Sequence, residues 1–330
     1  MTSGVTCERA QLRMTWAGAT DVGRIRKVNE DAWFAAPGVW VVADGMGGHA
    51  AGDVASALTI DTLASLAVDH PITMPTVAAA IGEANRRVWQ HAVDTGVDGM
   101  GCTLAGAAQV DIGGRSSLLV FHAGDARCYL ADPSGWRPVT KDHSHVQELI
   151  DEGVISAQQA ITHPDRNVVT RAIGIEPMVS PEFLVLAVDA PCRLVVCSDG
   201  VHGEIAADEL EMIATTDPDA AATATAVLRH VLAGRAADNA TVIVVDLEPL
   251  GGELDLVDAE VTGPRAPRLG DDLETTPRRL LPPPTTPPVT DVVADLILGV
   301  PAVVRTHADF VPGPTADENP VDDVIDEVPK

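Results

Sequence analysis

Two apolar runs in this chain end in the same way. Val41-Val42-Ala43 leads into Asp44-Gly45, and Leu194-Val195-Val196-Cys197 leads into Ser198-Asp199-Gly200. Short apolar runs bounded by turn residues are the pattern of buried strands, so each corner sets a carboxylate at a strand tip. That is costly unless something positive meets it. Asp44 either caps the turn that follows or holds a cation. Taken alone, an Asp-Gly corner reads as a turn, because both residues are ordinary turn formers. Repetition is what constrains the fold. Asp125, in the tight turn Gly124-Asp125-Ala126-Arg127, and Asp238, just ahead of Val242–Val245, also border apolar strand-like runs.

Composition narrows the class. The net charge of −26 over 330 residues excludes nucleic acid and anionic membrane surfaces as partners, since both would be repelled. Hydrophobic residues make up 46% but aromatics only 3%, so the core must be built from Ala, Val, Leu and Ile. Five cysteines show no zinc-type spacing and mostly fall in apolar runs, the usage expected of buried, reduced thiols in a cytosolic protein. No basic-then-apolar leader opens the chain, and no apolar stretch approaches the roughly 18–20 residues of a membrane span. The expectation is a soluble, cytoplasmic protein.

In chain order, residues 1–11 carry no periodic signal and read as a loose N-terminus. Leu12–Thr20 alternates as a strand, and Ala32–Ala35 resumes one. Between them Arg24, Arg26 and Lys27 precede Glu30 and Asp31. By itself this segment reads as a solvated loop with local ion pairs; its other reading is an anion-binding arginine beside a metal-facing acid pair. Helical patterns cover Ala50–Asp69 and Pro75–Thr95. Ser116–His122 and Cys128–Leu130, joined by the Gly124-Asp125 turn, read as a β-hairpin. Residues 141–174 are polar and read as an inserted flap; their histidines, His143, His145 and His163, fit no compact zinc set. Strands at Glu182–Val188 and Cys192–Cys197 and helices at Ala207–Thr215 and Ala220–Ala233 follow. Residues 248–330 read as a Pro-rich, acidic, disordered tail, with a short docking helix over Val292–Val304 and a candidate kinase site at Thr275-Thr276.

If the strand-end acids share one edge of the fold, they repel one another unless divalent cations sit among them. All-oxygen ligation points to Mg²⁺ or Mn²⁺, and Arg26 offers a fork for phosphate. The ordered series of motifs then resembles the PPM family of metal-dependent serine/threonine protein phosphatases (protein phosphatase 2C-like), in its bacterial form. The matching pieces are Thr20-Asp21-Val22-Gly23 through Asn29-Glu30-Asp31, Ala43-Asp44-Gly45-Met46-Gly47-Gly48-His49, Gly101-Cys102-Thr103-Leu104 and Ala123-Gly124-Asp125-Ala126-Arg127. Lys141-Asp142-His143-Ser144, His163-Pro164-Asp165-Arg166-Asn167, Cys197-Ser198-Asp199-Gly200 and Asp238-Asn239-Ala240-Thr241 complete it over residues 12–247.

The resemblance implies an α+β fold, a four-layer α-β-β-α sandwich of two antiparallel sheets flanked by helices. It implies hydrolysis of phosphoserine and phosphothreonine by a metal-activated water at a binuclear Mn²⁺/Mg²⁺ centre, with a third, looser ion. Asp44 corresponds to the carboxylate bridging two metals and Gly45 to a carbonyl ligand. Asp199 and Asp238 correspond to ligands of the first metal, Glu30 and Asp31 to water-mediated partners of the second, and Asp125 to the ligand of the third. Arg26 corresponds to the phosphate contact, and His49 is a candidate general acid. Phosphorylated proteins and an opposing serine/threonine kinase are the implied partners of a monomer. The alternative is a catalytically weak module of the same fold that docks phosphoproteins or a kinase. Cys102, Ala126 and Val201-His202 depart from the family pattern, and His202 reads as a solvated helix-start residue.

Overall fold

The computed structural model describes residues 4–9, 11–47, 51–67, 71–250 and 303–306. Period-two burial decides which way each long strand faces. In β2 (Leu12–Asp21), Leu12, Met14 and Trp16 enter one core while Ala17 and Ala19 enter another. The same split separates Ile243, Val245 and Leu247 from Val242 and Val244 on the strand Ala240–Pro249, and Trp40 and Val42 from Val39, Val41 and Ala43 on β4 (Val39–Met46). Strands buried on both faces must lie between other layers, and they do.

Two sheets result. One has the order β1 (Val5–Arg9), β2, β11 (Ala240–Pro249), β10 (Cys192–Cys197), β7 (Arg127–Asp132), β8 (Gly135–Pro138). The other runs β12 (Val303–Thr306), β9 (Glu182–Ala187), β6 (Arg115–Ala123), β5 (Gly101–Ile112), β4, β3 (Asp31–Ala36). All pairs are antiparallel except β12 with β9. Leu118, Val120, Leu194 and Val196 meet between the sheets. Outside the second sheet, α1 (Gly52–Leu63) and α2 (Met74–Thr95) bury Ala55, Leu63, Ile81 and Val88. Outside the first, α6 (Ala207–Thr216) and α7 (Ala220–Ala233) bury Leu210, Val227 and Val231. This is the expected α-β-β-α sandwich.

Three local expectations change. Val5–Arg9 is not loose: it pairs with β2, Val5 opposite Trp16. Ser116–His122 and Cys128–Leu130 do not form a hairpin. β6 pairs with β5 and β9, whereas β7 pairs with β10 and β8. Gly124-Asp125 therefore carries the chain from one sheet to the other. Val303 and Val304 lie in a strand rather than a docking helix, while the rest of that segment and Thr275-Thr276 fall outside the described residues. The flap holds α3 (His145–Asp151) and α4 (Ala157–Ala160), and α5 (Asp199–His202) follows β10. No described helix is long and apolar enough to cross a membrane.

Candidate active site

The two acid-glycine corners are built alike. At Gly45 an added Cβ would lie 2.2 Å from the Gly52 carbonyl oxygen, and at Gly200 it would lie 1.9 Å from that of Asn239. Only glycine admits such close backbone approach. It draws the Asp44 corner against the start of α1 and the Glu30 loop, where Gly45 N–H donates to the Glu30 carbonyl at 3.1 Å. It draws the Asp199 corner against the Asp238-Asn239 turn. Asp44, Gly45, Asp125, Asp199, Asp238 and Glu30 consequently line one cavity of about 590 Å³, with Arg26 and Thr103 on its wall. A second cavity of about 530 Å³ surrounds Arg193, but that guanidinium is committed to Asp246 and to the carbonyls of Ala214, Asp217 and Pro218.

Asp31 is not among the lining residues, so the expected Glu30–Asp31 pair divides. Asp31 lies directly opposite Asp44 across β3 and β4. Its Oδ2 accepts from the hydroxyls of Ser198 at 2.8 Å and Thr241 at 2.6 Å, while its buried Oδ1 has no hydrogen-bond partner. Arg26 reaches the cavity but is engaged there, its Nη2 2.7 Å from Asp238 Oδ2. His49 lies outside the described residues.

The carboxyl groups feel one another. Burial first, then the charges of Asp199, Asp31 and Asp125, push the Asp44 carboxyl well above its ordinary range. Burial and Asp199 push Asp125 up to about 7. Asp31 rises to about 6, mainly through burial and against the lowering effect of its two hydroxyl donors. Asp199 is raised by burial and by Asp238. Retained protons would relieve this crowded charge, and a divalent cation would relieve it without them. The all-carboxylate set, the carbonyl of Gly45 and the unpartnered oxygens Asp31 Oδ1 and Thr103 Oγ1 fit Mg²⁺ or Mn²⁺, hard ions that take oxygen ligands.

Several supporting residues had no role assigned from sequence. Asn239 accepts from Glu30 N–H at 2.8 Å and donates to the carbonyls of Val22 and Val28 at 3.0 Å, pinning the arginine-bearing loop. His202 is not solvated. It is partly buried and its Nε2 donates to the Asp125 carbonyl at 3.0 Å; burial, then Arg127, lowers its pKa to about 3. Arg127 in turn grips Asp142 with two nitrogens, at 2.7 and 2.6 Å. Asn239, Arg127 and Asp142 stand inside the matching motifs and His202 just after one, but their partners are remote in sequence, so no local signal marks what each of them holds.

Known proteins are similar to this chain in sequence and fold. The sequence profile of the protein phosphatase 2C family matches residues 24–237. Serine/threonine protein phosphatase PstP of Mycobacterium tuberculosis is 37% identical over 243 residues, which are 72% of this chain and 46% of that protein; the chain thus spans about half the length of this relative. Serine/threonine phosphatase stp of Listeria monocytogenes is 33% identical over 241 residues, 69% of this chain and 93% of the relative. Among solved structures, the M. tuberculosis phosphatase PstP/Ppp superposes with a TM-score of 0.67 at 34% identity, covering 71% of this chain and 99% of that one. The catalytic domain of PstP in complex with two manganese ions gives 0.65 at 32% identity, covering 72% and 99%.

Proposed function

This chain belongs to the protein phosphatase 2C family, and on that premise we propose that it hydrolyses phosphoserine and phosphothreonine in proteins with Mn²⁺ or Mg²⁺ held by the acid cavity. One observation carries the reading: carboxylates from both sheets converge on a single cavity whose wall also holds Arg26. When bound, the ions supply an activated water and neutralise charge on the phosphoryl group. In this reading Asp44 would serve two ions and Gly45 would offer its carbonyl. Asp199 and Asp238 would complete the first ion's set, Glu30 and Asp31 would support a second, and Asp125 would hold a third. His49 keeps the role of candidate general acid.

Arg26 orients the substrate. One of its N–H donors is spent on Asp238, and the rest of the fork is available to phosphate oxygens. Arg26→Ala is expected to raise KM for a phosphothreonine peptide roughly tenfold or more, with a smaller change in kcat, the signature of a lost binding contact. Steady-state kinetics at saturating Mn²⁺ measure that split; an unchanged KM would remove Arg26 from the site.

The reading also takes a serine/threonine kinase as the opposing enzyme and keeps the expectation of a cytoplasmic monomer, which the five free thiols suit. Its test is phosphate release from a phosphothreonine peptide. Turnover should appear with Mn²⁺ and vanish with chelator. Tight peptide binding without metal-dependent release would instead make the protein a docking module.

A further inference from the structure

Outside the acid cavity, His122, His143 and Glu182 bring nitrogen and carboxylate atoms within 4.8 Å of one another, and all three side chains are buried. Such a trio suggests a metal, but a cation already stands beside it. Arg171 Nη1 lies 3.2 Å from His143 Nε2 and 3.6 Å from Glu182 Oε1. What distinguishes the cluster is the set of backbone groups that His143 holds. Its N–H donates to the Gly124 carbonyl at 2.9 Å, and its carbonyl accepts from Thr170 N–H at 2.8 Å. Its ring Nδ1 accepts from Gly124 N–H at 3.2 Å.

Those bonds fix the ring. A nitrogen that accepts from an amide carries no proton, so the ring proton is on Nε2, which faces Glu182 Oε1 at 3.4 Å and offers no lone pair to Arg171, whose guanidinium pairs with Glu182 instead at 3.6 Å. His122 stacks on the ring, centroids 4.4 Å apart and planes 12° from parallel, and is itself anchored by its Nε2 donating to the Lys141 carbonyl at 2.8 Å. One side of His143 thus meets the flap at Thr170 and Arg171 and the start of β9 at Glu182. The other grips both polar backbone groups of the residue before Asp125.

We infer that His143 is a positioning residue that couples the flap to the Asp125 turn, setting where that carboxylate stands in the cavity. The inference rests on the proposed role of Asp125, and it adds a structural path to that residue from the flap, whose Asn167 and Val169 line the acid cavity. A packing role alone predicts that any substitution of similar size costs the same. A coupling role predicts that the two ring nitrogens do different work.

Two substitutions separate them in the full chain. His143→Asn keeps an acceptor near the Nδ1 position and loses the Nε2 donor; His143→Gln keeps a donor near Nε2 and loses the acceptor. In metal-free protein, the Gly124 amide should exchange with deuterium about tenfold faster in His143→Gln but near the wild-type rate in His143→Asn. The Thr170–Arg171 amides should show the reverse. Calorimetric titration with Mn²⁺ should find the weakest site about tenfold weaker in His143→Gln only. Equal changes in both variants, or none, overturn the coupling. If His143→Gln does not fold, Glu182→Gln replaces it: it should quicken exchange at Thr170–Arg171 and shift the weakest Mn²⁺ affinity severalfold, and leaving both unchanged overturns the inference. Amide exchange needs no turnover, so an inactive wild type would sink the phosphatase reading while leaving this contrast decisive.

Discussion

Asp44→Asn should abolish Mn²⁺-dependent dephosphorylation and, in chelator, raise the melting temperature. Asp44 lies where the charges of Asp199, Asp31 and Asp125 converge, and its carboxyl is held far above its ordinary range by burial and by those neighbours. Loss of an acid proposed to bridge two ions removes both the activated water and the clamp on the phosphoryl group, so kcat should fall about 10³-fold or more. The same substitution leaves a neutral, nearly isosteric group. At neutral pH the native state no longer has to hold a carboxyl whose charge its surroundings oppose. Each pKa unit of such opposition costs about 1.4 kcal/mol, worth roughly 3–5 °C in a domain of this size. Peptide turnover and a thermal melt in EDTA are the two measurements. Retained turnover refutes the bridging role, and a lowered melting temperature refutes the crowding of charge.

Metal-free protein should lose stability as pH rises from about 6.5 to 8, and Mn²⁺ should stabilise it more at pH 8 than at 6.5. The sign follows from linkage. A carboxyl whose folded pKa is raised keeps a proton that the unfolded chain has released, so its stabilising contribution is full below the unfolded pKa and is lost as pH climbs to the folded one. Asp125, at about 7, places that loss around neutrality, and the Asp44 carboxyl, raised by the same burial and like charges, acts in the same sense. Asp31, at about 6, loses its share mostly below this window. His122 and His202 act oppositely, because burial lowers them to about 4 and 3. Their contribution is gained as pH rises to the unfolded histidine value and is constant above it. These two histidines therefore add no slope above that value. Metal binding displaces their protons, so Mn²⁺ affinity should rise as much as tenfold per pH unit for each proton released. Melting curves at fixed Mn²⁺ across that range decide it; a pH-independent shift would mean the acids are not the ligands.

Much of this was legible in sequence for a definite reason. Alternation along Leu12–Thr20 and the twin corners at Asp44 and Asp199 are local patterns, and local patterns survive folding when both faces of a strand are buried. What could not be read depends on partners far along the chain. A Gly-Asp turn looks the same whether it closes a hairpin or crosses between sheets, and only the pairing of β6 with β9 and of β7 with β10 decides. His202 looked solvated because Asp125, its partner, is 77 positions away. Arg26 was placed near the acids, but its pairing with Asp238, 212 positions on, was not visible. Val5–Arg9 is a short strand with mostly exposed side chains, so it carries no hydrophobic signature of its pairing.

The crossover at Asp125 has a mechanical consequence. Asp44 belongs to one sheet, Asp199 and Asp238 flank strands of the other, and Asp125 sits on the chain that passes between them. A cation held among these acids is a rivet through both halves of the sandwich. Its binding free energy is then also cohesion between the sheets, and under the proposed function the supply of metal would govern how long the folded protein lasts as well as how fast it works.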